Sequence, residues 1–547
     1  MQDLRTYLKK LETYLPNQLI KVNEPVDWQY EVTSRIIQAE RTKSNPALLF
    51  KEVKGYLNPI LTNVFGSIDR IQLGLGESEK IGGGRLAFYT DWNKLFTNDV
   101  STIDVSAGPV KEIVKKNSEV DLLSLPVPKF YEQDGGRYIT AGLLAARNPA
   151  NPEEVNLSFV RMQVKDRNTL GISLHSRGHM WQYYESARSS GNQLDVAVII
   201  GAHPALYLAA AAKITEEYCK AGALIGEPIA LVRCETVDVP VPSHAEIVLE
   251  GRITLQEEDE GPFTEYTGYI SGRSTRNQLK LSAITMRKDA IFQAIAPSNS
   301  AEHLLLSGLP KQARISKALI DYTHTSALKD IIWPVWGTHF ACFLSLKPES
   351  ITPGLAKQIA LLLLGLDHYI KIAIVLPSDV EVTDVSQVLT AVAERCDLKI
   401  GSGIEILGGV YSHMLDPSSP KGGLSSKIII DATGKLIHSH KEIDSFKKPC
   451  SGNMKISTLP NYTDRVCFIC ETDLSVDKIL GSKPLNQCRL LILIDDDIDI
   501  EDPRQVLWAM ATRYQPDTGT TLSDARMVID ARKGENWVAT IASLPKH

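Results

Sequence analysis

Two stretches of this chain repeat each other. Residues Asp379 to Arg395 read DVEVTDVSQVLTAVAER, and residues Asp497 to Arg513 read DIDIEDPRQVLWAMATR. They match in register at Asp384/Asp502, Gln387/Gln505, Val388/Val506, Leu389/Leu507, Ala391/Ala509, Ala393/Ala511 and Arg395/Arg513, and SKIIIDA at 426–432 is echoed by ARMVIDA at 525–531. Self-similarity at this spacing predicts one supersecondary unit built twice. A C-terminal α/β unit over 331–445 is therefore expected to have a second copy over 446–547. The second copy has no counterpart of LDPSSPKGGLSS (415–426), so it is expected to be structural or an oligomer contact.

The first copy has the rhythm of βαβ units. ACFLSLK, GLAKQIALLLLGL, IKIAIVLPSDV and DVSQVLTAVAERC alternate strand and helix patterns and predict a parallel or mixed sheet. Upstream, SNSAEHLLLSGLPKQARISKALIDYTH predicts a linker helix over 306–330. Before it the style is different. VNLSFVRMQV, LGISLH, DVAVIIGA, IALVRCE, AEIVLEGRI and KLSAITMRK are short alternating segments with brief turns, as in an antiparallel barrel or sandwich. MWQYYESARS and ALYLAAAAKITEEYCKAGAL read as helices between them, the second ending near Glu217. The chain is α+β, and at 547 residues it is too long for one core.

Several classes are excluded or disfavoured. A net charge of -6 without a Lys/Arg block argues against nucleic acid or an anionic membrane surface as partner. The longest apolar run, around Ile359 to Leu366, falls short of a membrane span. MQDLRTYLKKLETYL lacks the order of a signal peptide and reads as a structural helix of a cytoplasmic protein. The eight cysteines are scattered, and the single C-x-x-C, Cys467 and Cys470, has no second pair to complete a zinc site. The glycines around 74–84 complete neither nucleotide-binding motif, because Glu79 and Arg85 stand where Gly and Lys would be needed, and a turn is the expectation.

The residues that carry chemistry fall between 156 and 265. Asn156, His179 and Glu217 together offer the mixed oxygen and imidazole ligands that a hard divalent ion such as Mn²⁺ or Mg²⁺ accepts. Arg161, Glu260 and Glu265 offer a two-pronged grip for a substrate carboxylate and a nearby acid. One difficulty is local: Asn156 and Arg161 are five apart, which on a regular strand puts them on opposite faces. Either a bulge re-aims one of them, or the two serve different ends of an extended ligand.

At NLSFVR, HSRGH, TEEYCKAG and EGPFTEYTGY the sequence resembles the UbiD family of reversible decarboxylases that use prenylated FMN. The resemblance runs from LPVPKFYEQDGGRYIT through LDPSSPKGGLSSKIIIDAT, and more loosely back to the N-terminus. It implies a split-β-barrel flavin-binding domain with an N-terminal helical extension over 1–305, joined by the linker helix to an α/β domain that helps oligomerise and closes over the site. Asn156, His179 and Glu217 would hold Mn²⁺ against the cofactor phosphate, with K⁺ nearby, and Ser158, Phe159, Val160, Arg161 and Gly178 would line the cofactor. Arg161, Glu260 and Glu265 would form the catalytic network, Glu265 delivering the proton that replaces CO₂.

Further expectations follow from the same resemblance. A flavin prenyltransferase would supply the cofactor, and the protein would be a homo-oligomer, a dimer or a hexamer. His303 and His413 lie on segments that face the pocket in relatives acting on hydroxybenzoates and heteroaromatic acids. This favours an aromatic or heteroaromatic acid as the small-molecule substrate. The alternatives are carboxylation of a phenol or heteroarene, decarboxylation of an alkenyl acid, and a flavin-binding assembly protein without catalysis.

Overall fold

The computed structural model describes residues 3–76, 83–95, 97–174, 178–323, 327–419, 423–437, 454–459, 461–471, 475–535 and 537–545. Glu79 and Gly82 of the glycine-rich stretch, and the expected start of the second repeat at 446, lie outside these residues. The chain divides into two compact units. One holds residues 1–84, 91–311 and 540–547, and the other holds 85–90 and 312–539. The last segment thus groups with the first unit and not with the repeat that precedes it.

The first unit is built on an antiparallel sheet of nine strands. Its order is Tyr138–Ile139, Met162–Val164, Thr169–Ile172, Ser274–Met286, Ile247–Glu260, Leu194–Ile200, Leu143–Asn148 and Asn151–Phe159, with Ile113–Lys116 added to Ser274–Met286. Leu194–Ile200, in the interior of the sheet, reads LDVAVII and is buried except at Asp195, as a strand covered on both faces must be. The long strands Ile247–Glu260 and Ser274–Met286 shift register at Glu250/Gly251. Only glycine fits there, because a Cβ on Gly251 would meet the Lys280 carbonyl oxygen at 2.3 Å. The apolar faces close over a core that includes Leu144, Val196, Val198, Leu249, Ile253, Leu279 and Phe263.

The predicted single helix over ALYLAAAAKITEEYCKAGAL is two helices, Pro204–Ala211 and Glu217–Ile225. The break comes from Lys213 (φ 53) and Glu216 (φ 60), both in the left-handed region. Glu217 therefore opens a helix rather than sitting near the end of one.

In the second unit two five-stranded sheets share one plan. Leu328–Ile332, Ala341–Leu346, Ile372–Pro377, Leu424–Asp431 and Ile404–Tyr411 lie in that order, as do Lys455–Leu459, Thr463–Cys470, Leu490–Ile494, Arg526–Asp530 and Thr520–Ser523. In each the outer two pairings are antiparallel and the inner two parallel. The repeated residues do the same work in both copies. Asp384 and Asp502 cap the helices Val385–Arg395 and Pro503–Arg513 by accepting from Ser386 N and Arg504 N. Gln387 and Gln505 accept from Glu381 N and Asp499 N, each at 3.1 Å. Arg395 pairs with Asp379 at 2.6 Å, and Arg513 with Asp497 at 2.8 and 2.9 Å. Cys467 and Cys470 are buried on the core strand Thr463–Cys470.

The second copy also holds the loop that only the first possesses. Gln515 Nε2 donates to Ser418 Oγ (2.9 Å), and Gln515 Oε1 accepts from Ser426 N (3.0 Å). Ser426 Oγ donates to Asp517 (2.7 Å). Beneath that loop Lys371 is buried against Asp416, 3.1 Å from each carboxylate oxygen.

Candidate active site

Asn156, Ser158 and Phe159 lie on the strand Asn151–Phe159, in register with Leu143–Asn148. The strand ends there, and Val160 and Arg161 form the connection to Met162–Val164. That interruption resolves the parity difficulty: Asn156 and Arg161 do not belong to one continuous strand, so the alternation rule does not relate them.

Three polar side chains meet at Asn156. His179 is the first residue of the helix His179–Ser189, capped by Gly178, and Glu217 is the first residue of Glu217–Ile225. One turn after His179, Tyr183 donates to Glu154 (2.8 Å), tying that helix to the strand of Asn156. The amide of Asn156 admits two orientations. In one, Nδ2 donates to Ser158 Oγ (2.8 Å) and Oδ1 faces His179 Nδ1 at 3.2 Å and Glu217 Oε1 at 3.0 Å. In the other, Nδ2 donates to His179 and Glu217 while Oδ1 accepts from Ser158.

With the proton of His179 on Nε2, the first orientation sets amide oxygen, imidazole nitrogen and carboxylate face to face with only acceptors toward one another, which is the donor set a hard cation needs. Glu217 carries the same signal. It is 2% exposed, and its Oε2 has no hydrogen-bond partner. Burial pushes its carboxyl up to about 8, against the opposing pull of its own N–H and that of Leu157. A buried carboxyl oxygen whose lone pairs meet no donor lacks a positive partner, so the residues present fit a divalent metal. Two helices also begin at His179 and Glu217, and helix N-termini favour a phosphate.

Arg161 joins two carboxylates. Its Nε and Nη2 donate to Glu260 at 2.9 Å each, and its Nη1 donates to Glu265 at 2.5 Å. Glu260 ends the strand Ile247–Glu260 and is fully buried. Burial alone would lower the Arg161 guanidinium, but Glu265 and Glu260 raise it, so it stays charged. Phe263 lies beside the guanidinium, with its ring centroid 4.8 Å from Cζ.

Glu265 sits in the turn between the short strands Phe263–Thr264 and Ile270–Ser271. Its N–H donates to Tyr269 O (2.8 Å), and its carbonyl accepts from Gly268 N (3.0 Å). The neighbouring Asp134-Gly135-Gly136 turn fixes this segment. Asp134 Oδ1 accepts from Thr264 N and Oγ1, both at 2.9 Å, and Gln163 bridges Gly135 O (2.8 Å) and Gly261 N (3.2 Å). Sequence reading missed Asp134 and Gln163 as supports. Their signal was slight: a carboxylate beside two glycines, and an amide two residues after Arg161.

His303 lies in the first turn of the helix Ala301–Thr323, its Nδ1 3.1 Å from Ser298 O. Burial lowers its pKa below the ordinary imidazole value, while the Ser298 carbonyl and the charge of Glu265 pull it back. His413 belongs to the second unit, where its ring stacks on Tyr369 with centroids 4.3 Å apart at 22°. The first unit thus brings together Asn156, His179 and Glu217 as one group and Arg161, Glu260 and Glu265 as another.

The chain is similar to known proteins along most of its length. The Rift-related domain of 3-octaprenyl-4-hydroxybenzoate carboxy-lyase, UbiD, matches residues 101–300, and the N-terminal domain matches 15–84. The C-terminal domain of the same family matches 307–432 and 475–531. The family therefore extends into the second repeat, contrary to the expectation that the resemblance ends after the first. Anhydromevalonate phosphate decarboxylase of Methanothermobacter thermautotrophicus is 33% identical over 334 residues, 60% of this chain and 76% of that one. The UbiD-class enzyme HmfF from Pelotomaculum thermopropionicum, solved in complex with FMN, is 32% identical, with a TM-score of 0.71 over 82% of this chain and 97% of that one. The apo 3,4-dihydroxybenzoic acid decarboxylase from Enterobacter cloacae is 27% identical, with a TM-score of 0.72 over 81% and 98%. Matched along most of its length by the three domains of one family, and by solved structures of UbiD-class enzymes, the chain belongs to the UbiD family and is an enzyme of the carboxy-lyase class.

Proposed function

We propose that this chain is a reversible, non-oxidative decarboxylase of an aromatic or heteroaromatic carboxylic acid that works with prenylated FMN, Mn²⁺ (or Mg²⁺) and K⁺. The observation that carries the reading is the triple contact of Arg161, bidentate to Glu260 and bonded to Glu265 in the same unit as the Asn156, His179 and Glu217 cluster. In this reading residues 1–305 form a split-barrel flavin domain, 306–330 a linker carried by the helix Ala301–Thr323, which starts and stops earlier than expected because Leu328–Ile332 is a strand, 331–445 a lid and oligomerisation domain, and 446–547 its repeat, less the residues 540–547 that group with the first unit. The protein is read as a cytoplasmic homo-oligomer, dimer or hexamer, that takes its cofactor from a flavin prenyltransferase.

Loss of CO₂ from an sp² carbon leaves an electron pair with no orbital to receive it, and the prenylated flavin supplies that electron sink. The chain's own residues do the rest. Asn156, His179 and Glu217 hold the divalent ion, whose charge offsets that of the flavin phosphate. Arg161, kept in place by Glu260, grips the substrate carboxylate and orients the bond to be broken. Glu265, on the opposite arm of Arg161, holds the proton that replaces CO₂ at the substrate carbon. His303 and His413 are assigned to the ring substituents or heteroatom of the acid.

A second reading keeps the site and changes the acid. The name of the Methanothermobacter relative denotes a dehydrated, alkenyl acid, so decarboxylation of an alkenyl acid is the alternative. Protein produced together with a flavin prenyltransferase, mass analysis of its bound flavin, and CO₂ release from a panel of aromatic, heteroaromatic and alkenyl acids separate the two. Prenylated FMN with turnover of aromatic acids is expected. Turnover of alkenyl acids alone replaces the first reading with the second. Bound flavin with no CO₂ from any acid favours instead a flavin-binding assembly role. Bicarbonate with the decarboxylated product then reports whether carboxylation also runs.

A further inference from the structure

Glu265 stands in an unusually small piece of structure. The ribbon that carries it pairs only Phe263 with Ser271 and Thr264 with Ile270. An isolated two-stranded ribbon is marginal in water, so its geometry must be imposed from outside. Asp134 does this on the Thr264 side. On the other side the partner comes from the far end of the sequence. Ile270 N donates to Thr540 O (2.9 Å), Ala542 N donates to Gly268 O (3.0 Å), and Tyr269 and Ile541 form an antiparallel bridge.

The same segment reaches the support on the first side. Glu132 N donates to Ser543 O (3.1 Å), Ser543 N donates to Gln133 Oε1 (3.0 Å), and Gln133 Nε2 donates to Ser543 Oγ (2.6 Å). Ala542 and Leu544 pack against the core that contains Phe263, Tyr131 and Tyr138. The segment thus spans the ribbon's free edge and the strand of chain leading into Asp134. It lies beyond residue 531, the last residue matched to the family's C-terminal domain.

We propose that Thr540–Leu544 is a clasp that sets the position of Glu265, acting as an added third strand through main-chain bonds to Gly268 and Ile270 and as a tie to Gln133. The proposal rests on the acid role given to Glu265 above. Its residues are positioning residues: none touches a reacting atom. An added strand of this kind binds through backbone groups, so it is sensitive to the loss of a single N–H and can be supplied as a separate peptide.

The experiment uses the full chain loaded with flavin. Ala542→Pro removes the donor to Gly268 O, and Gln133→Ala removes both side-chain bonds to Ser543, each leaving Arg161, Glu260 and the metal group untouched. A misplaced acid lowers kcat with little change in KM, and a displacement near 1 Å costs about 10²-fold, so Ala542→Pro is expected to lower kcat about tenfold or more at a KM within about twofold. A form ending at Ala539 is expected to lose the same rate and to regain it with a peptide WVATIASLP (537–545), but not with the same peptide carrying Pro at 542.

Hydrogen exchange gives a readout that does not depend on turnover. In Ala542→Pro the amides of Glu265 and Gly268, which bond only within the turn, are expected to lose protection while the peptide over Asn156–Val164 keeps it. Unchanged exchange at Glu265 and Gly268 in Ala542→Pro overturns the clasp. So does a kcat within twofold of the parent, where the parent turns over. A parent that turns over no acid, with exchange in Ala542→Pro as expected, removes the decarboxylase reading on which the acid role of Glu265 rests and leaves the clasp standing as a support of the ribbon.

Discussion

Replacing Glu260 by Gln isolates what holds Arg161. The carboxylate is fully buried and takes two bonds of 2.9 Å from the guanidinium. Gln keeps the shape and one acceptor, but its NH₂ group faces a guanidinium N–H, so one charge-assisted bond becomes a donor–donor contact. Breaking one partner of a buried ion pair costs about 3–5 kcal/mol. Arg161 retains Glu265, so the lower end, about 3 kcal/mol, is expected as loss of stability. The functional loss follows from the same contact. Freed from its two-point anchor, Arg161 swings toward Glu265, and a shift near 1 Å lowers kcat/KM about 10²-fold. Urea unfolding of flavin-loaded parent and variant, together with CO₂ release at several acid concentrations, measures both effects. A midpoint change worth less than about 0.5 kcal/mol with an unchanged rate refutes the anchoring argument, because a buried bidentate partner cannot be neutral to both.

Glu265→Gln is expected to abolish turnover while flavin absorbance stays at parental level, since the change removes the transferable proton and leaves the metal group alone; near-parental rates would exclude Glu265 as the acid. Glu217→Ala is expected to strip metal and flavin together, read by metal analysis and flavin absorbance of the purified protein, because it removes the only charged member of the three-ligand group. Glu40 governs a pH effect on stability. Burial raises its carboxyl to about 7, so between the unfolded value near 4.5 and about 7 the folded state keeps a proton that the unfolded chain has lost. Stability therefore falls as pH rises through that window, by up to about 3 kcal/mol, and is flat above it. Glu40→Gln preserves the acceptor for Ala301 N and is expected to remove that slope and stabilise at pH 8; equal urea midpoints at pH 8 would contradict it.

Much of this was legible in the residues, for reasons that differ by element. The repeated Asp, Gln and Arg of the two α/β copies were visible because each has a local task within a short span: cap, loop closure and ion pair. The two site groups were visible through the resemblance of NLSFVR, HSRGH, TEEYCKAG and EGPFTEYTGY, taken together, to the motifs of one family. The break at Lys213 and Glu216 was not visible. Nothing in LAAAAKITEEYCK punctuates a helix, and the left-handed residues there are not glycine. The clasp was equally hidden, since its bonds join Gln133 to Ser543 across 410 positions and use mostly main-chain atoms that leave no mark on side-chain identity. The role of Gln515 escaped for a related reason: its partners lie 89 to 97 positions away, in the other copy.

That last contact bears on how such a chain can change over time. A duplicated half without a serine-rich loop of its own would ordinarily be free to accept any substitution that preserves its sheet. Here it cannot drift at Gln515 or Asp517, because the loop of its sister rests on those two side chains. The halves have ceased to be interchangeable copies and have become a lock and its keeper, so a change at Ser418 or Ser426 calls for an answering change about ninety residues downstream.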